Sequence, residues 1–75
     1  MTTLVIGAGL VGAQVARILI EAGEKPVLFD TAPQTEALAE HFNPAKAAME
    51  VGDILRPLTL AAAVQRHKIT RIVHT

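Results

Sequence analysis

The stretch that decides the fold of this chain runs from Leu4 to Gly12 and reads LVIGAGLVG. An apolar run enters a Gly-x-Gly-x-x-Gly turn, and an amphipathic segment leaves it. Each glycine has a mechanical reason: Gly7 permits a tight strand-to-helix turn, Gly9 lets the backbone approach a bound group, and Gly12 lets the helix pack closely on a sheet. The stretch therefore predicts a strand, a tight turn and a helix in direct succession.

A second apolar run, Pro26 to Phe29, ends at Asp30. This acid follows the glycine turn by about 20 residues, where dinucleotide-binding folds place an acceptor for the adenosine ribose. The pyrophosphate of such a ligand would lie on unpaired N–H groups at the helix N-terminus, where the helix dipole favours negative charge. Two alternatives remain: the glycines serve a turn without a ligand, and Asp30 only caps a turn after its strand.

The rest of the chain alternates between apolar runs and helical patterns. The predicted strands cover 3–6, 26–30, 47–51 and 71–74, and the predicted helices cover 10–22, 33 to 41 or 42, and 57–67. Gly23 stands where the first helix should end. The apolar stripe expected on that helix consists of Val11, Val15, Ile18, Leu19 and Ala22.

This βαβαβαβ order predicts an α/β fold with a Rossmann-like parallel sheet between two helical layers. The expected strand order is 3-2-1-4, with a ligand crevice at the ends of strands 1 and 4. The chain has 75 residues, which is short for a doubly wound domain. We therefore expect residues 1–75 to form the N-terminal half of such a domain in a longer protein.

The composition of the chain limits the classes of partner and site that can be expected. Seven basic and seven acidic residues balance, so no charged surface favours nucleic acid. The chain has no cysteine, which leaves no disulfide framework and no thiolate metal site. No apolar run approaches the roughly 20 residues of a membrane span. These features predict a cytoplasmic protein without nucleic acid or membrane partners and without a metal.

Three segments together resemble a known family: the glycine turn with Asp30, the sequence Val51-Gly52-Asp53-Ile54, and the segment from Ile69 to His74. They resemble the N-terminal Rossmann portion of the NAD-dependent epimerase/dehydratase family, within the extended short-chain dehydrogenase/reductase group. The family's usual turn is Gly-x-x-Gly-x-x-Gly, and here Ile6 stands where the first of those glycines would fall. Arg56 stands where an acid often follows the Gly-Asp pair.

The resemblance implies a set of residues that hold NAD. These are Gly7, Gly9, Leu10, Val11, Gly12, Asp30, Thr31, Asp53 and Ile54. Asp53 would accept a hydrogen bond from the adenine amino group, with the Ile54 backbone beside it; the alternative is an aspartate that only begins a helix. Asp30 favours NAD over NADP because its charge would repel a 2′-phosphate. Arg17 is the nearest candidate to oppose that preference, and it is predicted to be solvated.

No catalytic residue is predicted within these residues. The family's Tyr-x-x-x-Lys pair and its serine or threonine would lie beyond residue 75, and the chain contains neither tyrosine nor serine. His41 and His67 are predicted at exposed helix ends, and His74 in a buried strand, where it resembles a structural histidine of the family. The carboxylates of Glu36, Glu40 and Glu50 are expected to face solvent.

The resemblance implies the NAD-binding portion of an oxidoreductase of the epimerase/dehydratase type. Its substrate, a sugar nucleotide or a related small molecule, would bind to a following C-terminal portion, and a homodimer is possible. The alternative is a non-catalytic regulatory module that binds NAD, and a third reading is a truncated chain with apolar surface exposed at strand 4. The segments Gly52-Asp53-Ile54 and Ile72-Val73-His74 favour the enzyme.

Overall fold

A computed structural model describes residues 2–32 and 35–75 and contains strands and helices in alternation. The elements are β1 (Thr3–Ile6), α1 (Leu10–Glu21), β2 (Val27–Asp30), α2 (Thr35–Leu38), a short 3-10 helix (Pro44–Lys46), β3 (Ala48–Val51), α3 (Pro57–His67) and β4 (Arg71–His74). Apart from the extra 3-10 turn, the βαβαβαβ order predicted from the sequence is confirmed.

The four strands form one parallel sheet in the order β3-β2-β1-β4, as predicted. In the register of the sheet, Leu4 of β1 lies between Val27 of β2 and Ile72 of β4. Two strands are therefore central and two form the edges. Because the strands are parallel, all four carboxyl ends meet along one border of the sheet.

Helices cover both faces of the sheet, which gives three layers. On one face Val5 and Leu28 pack with Ala13 and Ala16 of α1 and with Leu38. The other face carries a second cluster, in which Ala63 of α3 packs with Leu4, Val27 and Phe29. Strands buried on both faces read as continuous apolar runs, which explains the composition of β1 and β2.

The buried face of α1 differs from the predicted stripe. Gly12, Ala13 and Ala16 are buried, whereas Val11 and Ile18 are 64% and 59% exposed. Ala22 is exposed as well, and Val15 and Leu19 are only partly buried. The glycine turn is the physical reason, because a Cβ on Gly12 would lie 1.8 Å from the Gly7 carbonyl oxygen. That contact fixes the rotation of the helix, so the small residues in line with Gly12 face the sheet.

The connection between β2 and β3 contains α2 and the 3-10 turn. The helix predicted from position 33 to 41 or 42 is shorter, since α2 ends at Leu38; Pro33, its predicted first residue, lies outside the described residues. Leu38 and Phe42 are buried, and Ala37 is exposed. The side chain of Asn43 accepts a hydrogen bond from the Ala45 N–H at 3.0 Å, and this cap begins the 3-10 turn.

Gly23 ends α1 as predicted. It adopts a positive φ of 90°, its N–H donates to the Ile20 carbonyl, and the N–H of Glu24 donates to the Leu19 carbonyl. This pair of bonds is the Schellman arrangement, which satisfies carbonyls that the helix end leaves unpaired. Across the described residues, no helix is both long enough and apolar enough to cross a bilayer.

The contact between Gly12 and the Gly7 carbonyl oxygen generates a stability prediction. Gly12→Ala should lower the free energy of unfolding by about 3 kcal/mol, because the added methyl group meets a backbone oxygen that cannot move without displacing β1. Gly9→Ala is the matched control: its Cβ would have no atom within 4 Å. We expect that variant to lose less than about 1 kcal/mol. Urea unfolding measures both, and equal losses would contradict the packing role of Gly12.

Candidate functional site

Residues that follow each strand line a pocket of about 170 Å³ at the carboxyl border of the sheet. Parallel α/β sheets bind their ligands at this border. The lining includes Gly7, Asp30, Thr31, Gly52, Asp53, Ile54, His74 and Thr75. Five of the residues predicted to bind the cofactor are thus brought together here, namely Gly7, Asp30, Thr31, Asp53 and Ile54.

A larger pocket of about 350 Å³ adjoins the first between the start of α1 and α2. Gly9 and Leu10 line it, as does Asp30, which therefore contributes to both pockets. The two remaining predicted residues line neither pocket. Val11 is exposed on α1, and Gly12 is buried on the side of α1 that faces the sheet.

The glycine turn has the geometry that its sequence predicts. Gly7 has a φ of 99°, a conformation that residues with a side chain rarely adopt, and its N–H donates to the Phe29 carbonyl at 2.9 Å. Gly9 has open space where a side chain would be. The mechanical roles predicted for Gly7 and Gly12 are confirmed, and the space beside Gly9 fits the close approach of a bulky anion.

The start of α1 is an uncapped helix N-terminus. Its N-cap residue is Gly9, which has no side chain to accept a hydrogen bond, and the first turn contains no acidic residue. The first bond that closes on the cap runs from the Ala13 N–H to the Gly9 carbonyl at 2.9 Å. The N–H groups of Leu10, Val11 and Gly12 therefore have no acceptor within the helix. Such groups, with the positive end of the helix dipole, suit a phosphate oxygen.

The carboxylate of Asp30 connects the end of β2 to the glycine turn. Its Oδ2 accepts a hydrogen bond from the Ala8 N–H at 2.8 Å, and its Oδ1 accepts longer bonds, of 3.3 Å each, from the Ala32 N–H and the Thr31 hydroxyl. The bond from Ala8, followed by that from Ala32, lowers the pKa of Asp30 below its ordinary value of 3.8. The group is consequently anionic at neutral pH and presents a charged acceptor between the two pockets.

Asp53 has a local structural role. Its Oδ1 accepts a hydrogen bond from the Leu55 N–H at 2.9 Å, and its carbonyl accepts one from the Thr59 hydroxyl at 3.1 Å. The reading of Asp53 as a residue that prepares a helix start thus has direct support. Its Oδ2 accepts no hydrogen bond from the described residues, so contact with an adenine amino group stays a prediction.

No lysine or arginine of the described residues lines either pocket. Arg17, the candidate to oppose discrimination against NADP, is exposed on α1 as predicted. The charge at this border is therefore the negative charge of Asp30 and Asp53. That charge disfavours a further anionic group beside Asp30 and favours hydroxyl groups, which donate hydrogen bonds to a carboxylate.

The sequence prediction was wrong or silent for three residues that line the pockets, namely His74, Thr75 and His41. His74 was predicted to be buried, and it is exposed and lines the smaller pocket, because β4 is an edge strand. Thr75 also lines that pocket and was not predicted. The signal for Thr75 was the predicted topology, since the residue after strand 4 must lie beside the end of strand 1. His41, expected at an exposed helix end, is half-buried and lines the larger pocket.

Glu50 does not face solvent as predicted. Its Oε1 lies 2.6 Å from Arg66 Nη1 and 2.7 Å from His67 Nε2, and its side chain is only 16% exposed. The hydrogen bonds from Arg66 and His67 lower the pKa of Glu50. This cluster joins β3 to the end of α3 and lines neither pocket. Glu36 and Glu40 are exposed as predicted.

No group of three or more metal-ligating side chains occurs within 2–32 and 35–75. In comparisons with known proteins, no protein-family model and no curated protein matches this chain. The likeness to the epimerase/dehydratase family accordingly depends on the motifs quoted above.

The lowered pKa of Asp30 generates a pH prediction. A depressed folded-state pKa adds stability that is complete above the unfolded value and disappears as the pH falls through the folded value. Asp30→Asn should therefore lower the free energy of unfolding by about 1 kcal/mol at neutral pH, and the difference from the original chain should shrink as the pH falls below 3.8. Urea unfolding at neutral pH and at a series of acidic pH values measures this. Glu40→Gln, at an exposed position, is the control; a difference for Asp30→Asn that persists in acid would contradict the account.

Proposed function

We propose that this chain binds the adenosine diphosphate part of NAD across the carboxyl border of its sheet. The observation that carries the proposal is the uncapped start of α1 at Gly9, open to solvent, directly beside the ionised Asp30 carboxylate. The two groups differ in what they attract: free N–H groups bind phosphate oxygens, and a carboxylate accepts from hydroxyl groups. A nucleoside diphosphate carries both kinds of group in adjacent positions.

Each part of the ligand has a matching group. The pyrophosphate oxygens would accept hydrogen bonds from the N–H groups of Leu10 and Val11, over the open side of Gly9. The ribose hydroxyls would donate to Asp30 Oδ1, whose present bonds from Thr31 and Ala32 are long enough to give way. The adenine ring would lie against Ile54, which is 42% exposed, with Asp53 Oδ2 at its amino group.

The same charges support NAD over NADP. A 2′-phosphate would lie beside Asp30, and no lysine or arginine of the described residues lines either pocket to neutralise it. Burial in a partly closed pocket strengthens the repulsion relative to bulk water. We propose discrimination against NADP as a consequence of this single carboxylate.

NAD supplies hydride transfer when it is bound. We propose that the protein is an oxidoreductase of the epimerase/dehydratase type that acts on a sugar nucleotide or a related small molecule, with the substrate held by a further portion of the protein. The residues of this chain would bind and orient the cofactor, and none of the described residues is assigned as an acid or base. The absence of cysteine suits a reducing compartment, so we propose a cytoplasmic location.

Gly9→Val tests the proposal. The branched side chain would occupy the space required by the pyrophosphate, so the affinity for ADP and for NAD should fall by at least about tenfold. The fold should survive, because φ at Gly9 is −83° and no atom lies within 4 Å of the added Cβ. Isothermal titration calorimetry measures binding, and thermal unfolding measures integrity.

Ala22→Val is the matched control for this variant. It adds a valine at an exposed position at the opposite end of the same helix and should leave the affinity unchanged. If Gly9→Val binds both nucleotides as tightly as Ala22→Val does, the start of α1 is not the phosphate site and the proposal fails.

A further inference from the structure

The peptide group between Gly7 and Ala8 is held at both of its polar ends. Its carbonyl oxygen, on Gly7, lies 3.2 Å from the Thr75 hydroxyl, and its N–H, on Ala8, donates to Asp30 Oδ2 at 2.8 Å. The two side chains come from the two strands that flank β1, because Asp30 ends β2 and Thr75 follows β4. A peptide group is a rigid plane, so contacts at its opposite ends fix its orientation.

Thr75 is itself anchored to β1. Its N–H donates to the Ile6 carbonyl at 2.9 Å, and its single hydroxyl proton is shared between that oxygen, at 2.8 Å, and the Gly7 carbonyl oxygen, at 3.2 Å. Its side chain also occupies the space above Gly7, where a Cβ would lie 2.7 Å from the Thr75 hydroxyl oxygen. The missing side chain of Gly7 is therefore needed for this contact as well as for the positive φ.

We propose that Thr75 is a positioning residue for the pyrophosphate, since its hydroxyl keeps the Gly7–Ala8 peptide oriented in advance of binding. The inference rests on the proposed function. A turn with two glycines in three residues has many accessible backbone conformations. When an anion binds, the turn is restricted to one of them, and the lost conformational entropy opposes binding. Rotation of this peptide would also break the hydrogen bond from the Ala8 N–H to the Asp30 carboxylate. The contacts from Thr75 and Asp30 restrict the peptide before the ligand binds, so less conformational entropy is lost on binding.

Three variants at position 75 test the role of the hydroxyl. Thr75→Val keeps the shape and removes the hydroxyl, Thr75→Ala removes it without adding apolar bulk, and Thr75→Ser retains it. We expect ADP to bind about fivefold to tenfold more weakly to the valine and alanine variants, the equivalent of one lost hydrogen bond, and the serine variant to bind within about twofold of the original chain. Thermal unfolding checks that each variant is folded under the conditions of the binding measurement.

A measurement without ligand separates the two proposals. Hydrogen exchange of the Ala8 amide should be about fivefold to tenfold faster in Thr75→Val than in Thr75→Ser if the hydroxyl braces this peptide. Equal exchange in the two variants, or equal ADP affinity, would overturn the role of Thr75 while leaving the proposed function intact. Failure of the original chain to bind ADP would overturn the proposed function, and the pyrophosphate role of Thr75 with it, whatever the exchange rates show.

Discussion

The contact between Gly12 and the carbonyl oxygen of Gly7 is the constraint on which the rest of this structure depends. It brings the first turn of α1 directly onto the end of β1, at a distance that no side chain at position 12 permits. Once that contact is made, the rotation of the helix is fixed, and the small residues Ala13 and Ala16 face the sheet. The same contact points the unpaired N–H groups at the start of α1 across the carboxyl border, so one packing requirement produces both the core and the candidate site.

Asp30 gives this border its chemical character. Its carboxylate accepts a hydrogen bond from the Ala8 N–H of the glycine turn, which lowers its pKa and keeps it ionised. The same residue lines both pockets. An anionic acceptor close to a positive helix end attracts ligands in which phosphate and hydroxyl groups are neighbours. Thr75, on the other side of β1, completes the support of the turn without adding charge. The site is thus a turn held between two strands, with its open side at Gly9.

Much of this could be predicted from sequence because the decisive signals are local. Glycines at fixed spacing, an acid at the end of a buried run and prolines at a helix start specify the strands, their order and most element ends. The predictions were wrong where contacts between distant parts of the chain determine whether a side chain is buried. Apolar periodicity suggested that Val11 and Ile18 were buried, but the position of Gly12 turned both toward solvent. Glu50 looked like a solvated carboxylate because its partners, Arg66 and His67, lie 16 and 17 residues away. His74 was misplaced because an edge strand has no neighbour to bury it.

A titration of the isotopically labelled chain with NAD, followed by amide chemical shifts and repeated with NADP, tests the central claim most directly. The account predicts that NAD shifts the amides of Gly9, Leu10 and Val11 together with those around Asp30, and that NADP does so only at about tenfold higher concentration or more. Shifts confined to other parts of the chain, or none at saturating NAD, would contradict a dinucleotide site at the glycine turn. Equal responses to the two nucleotides would contradict the role given to the Asp30 carboxylate.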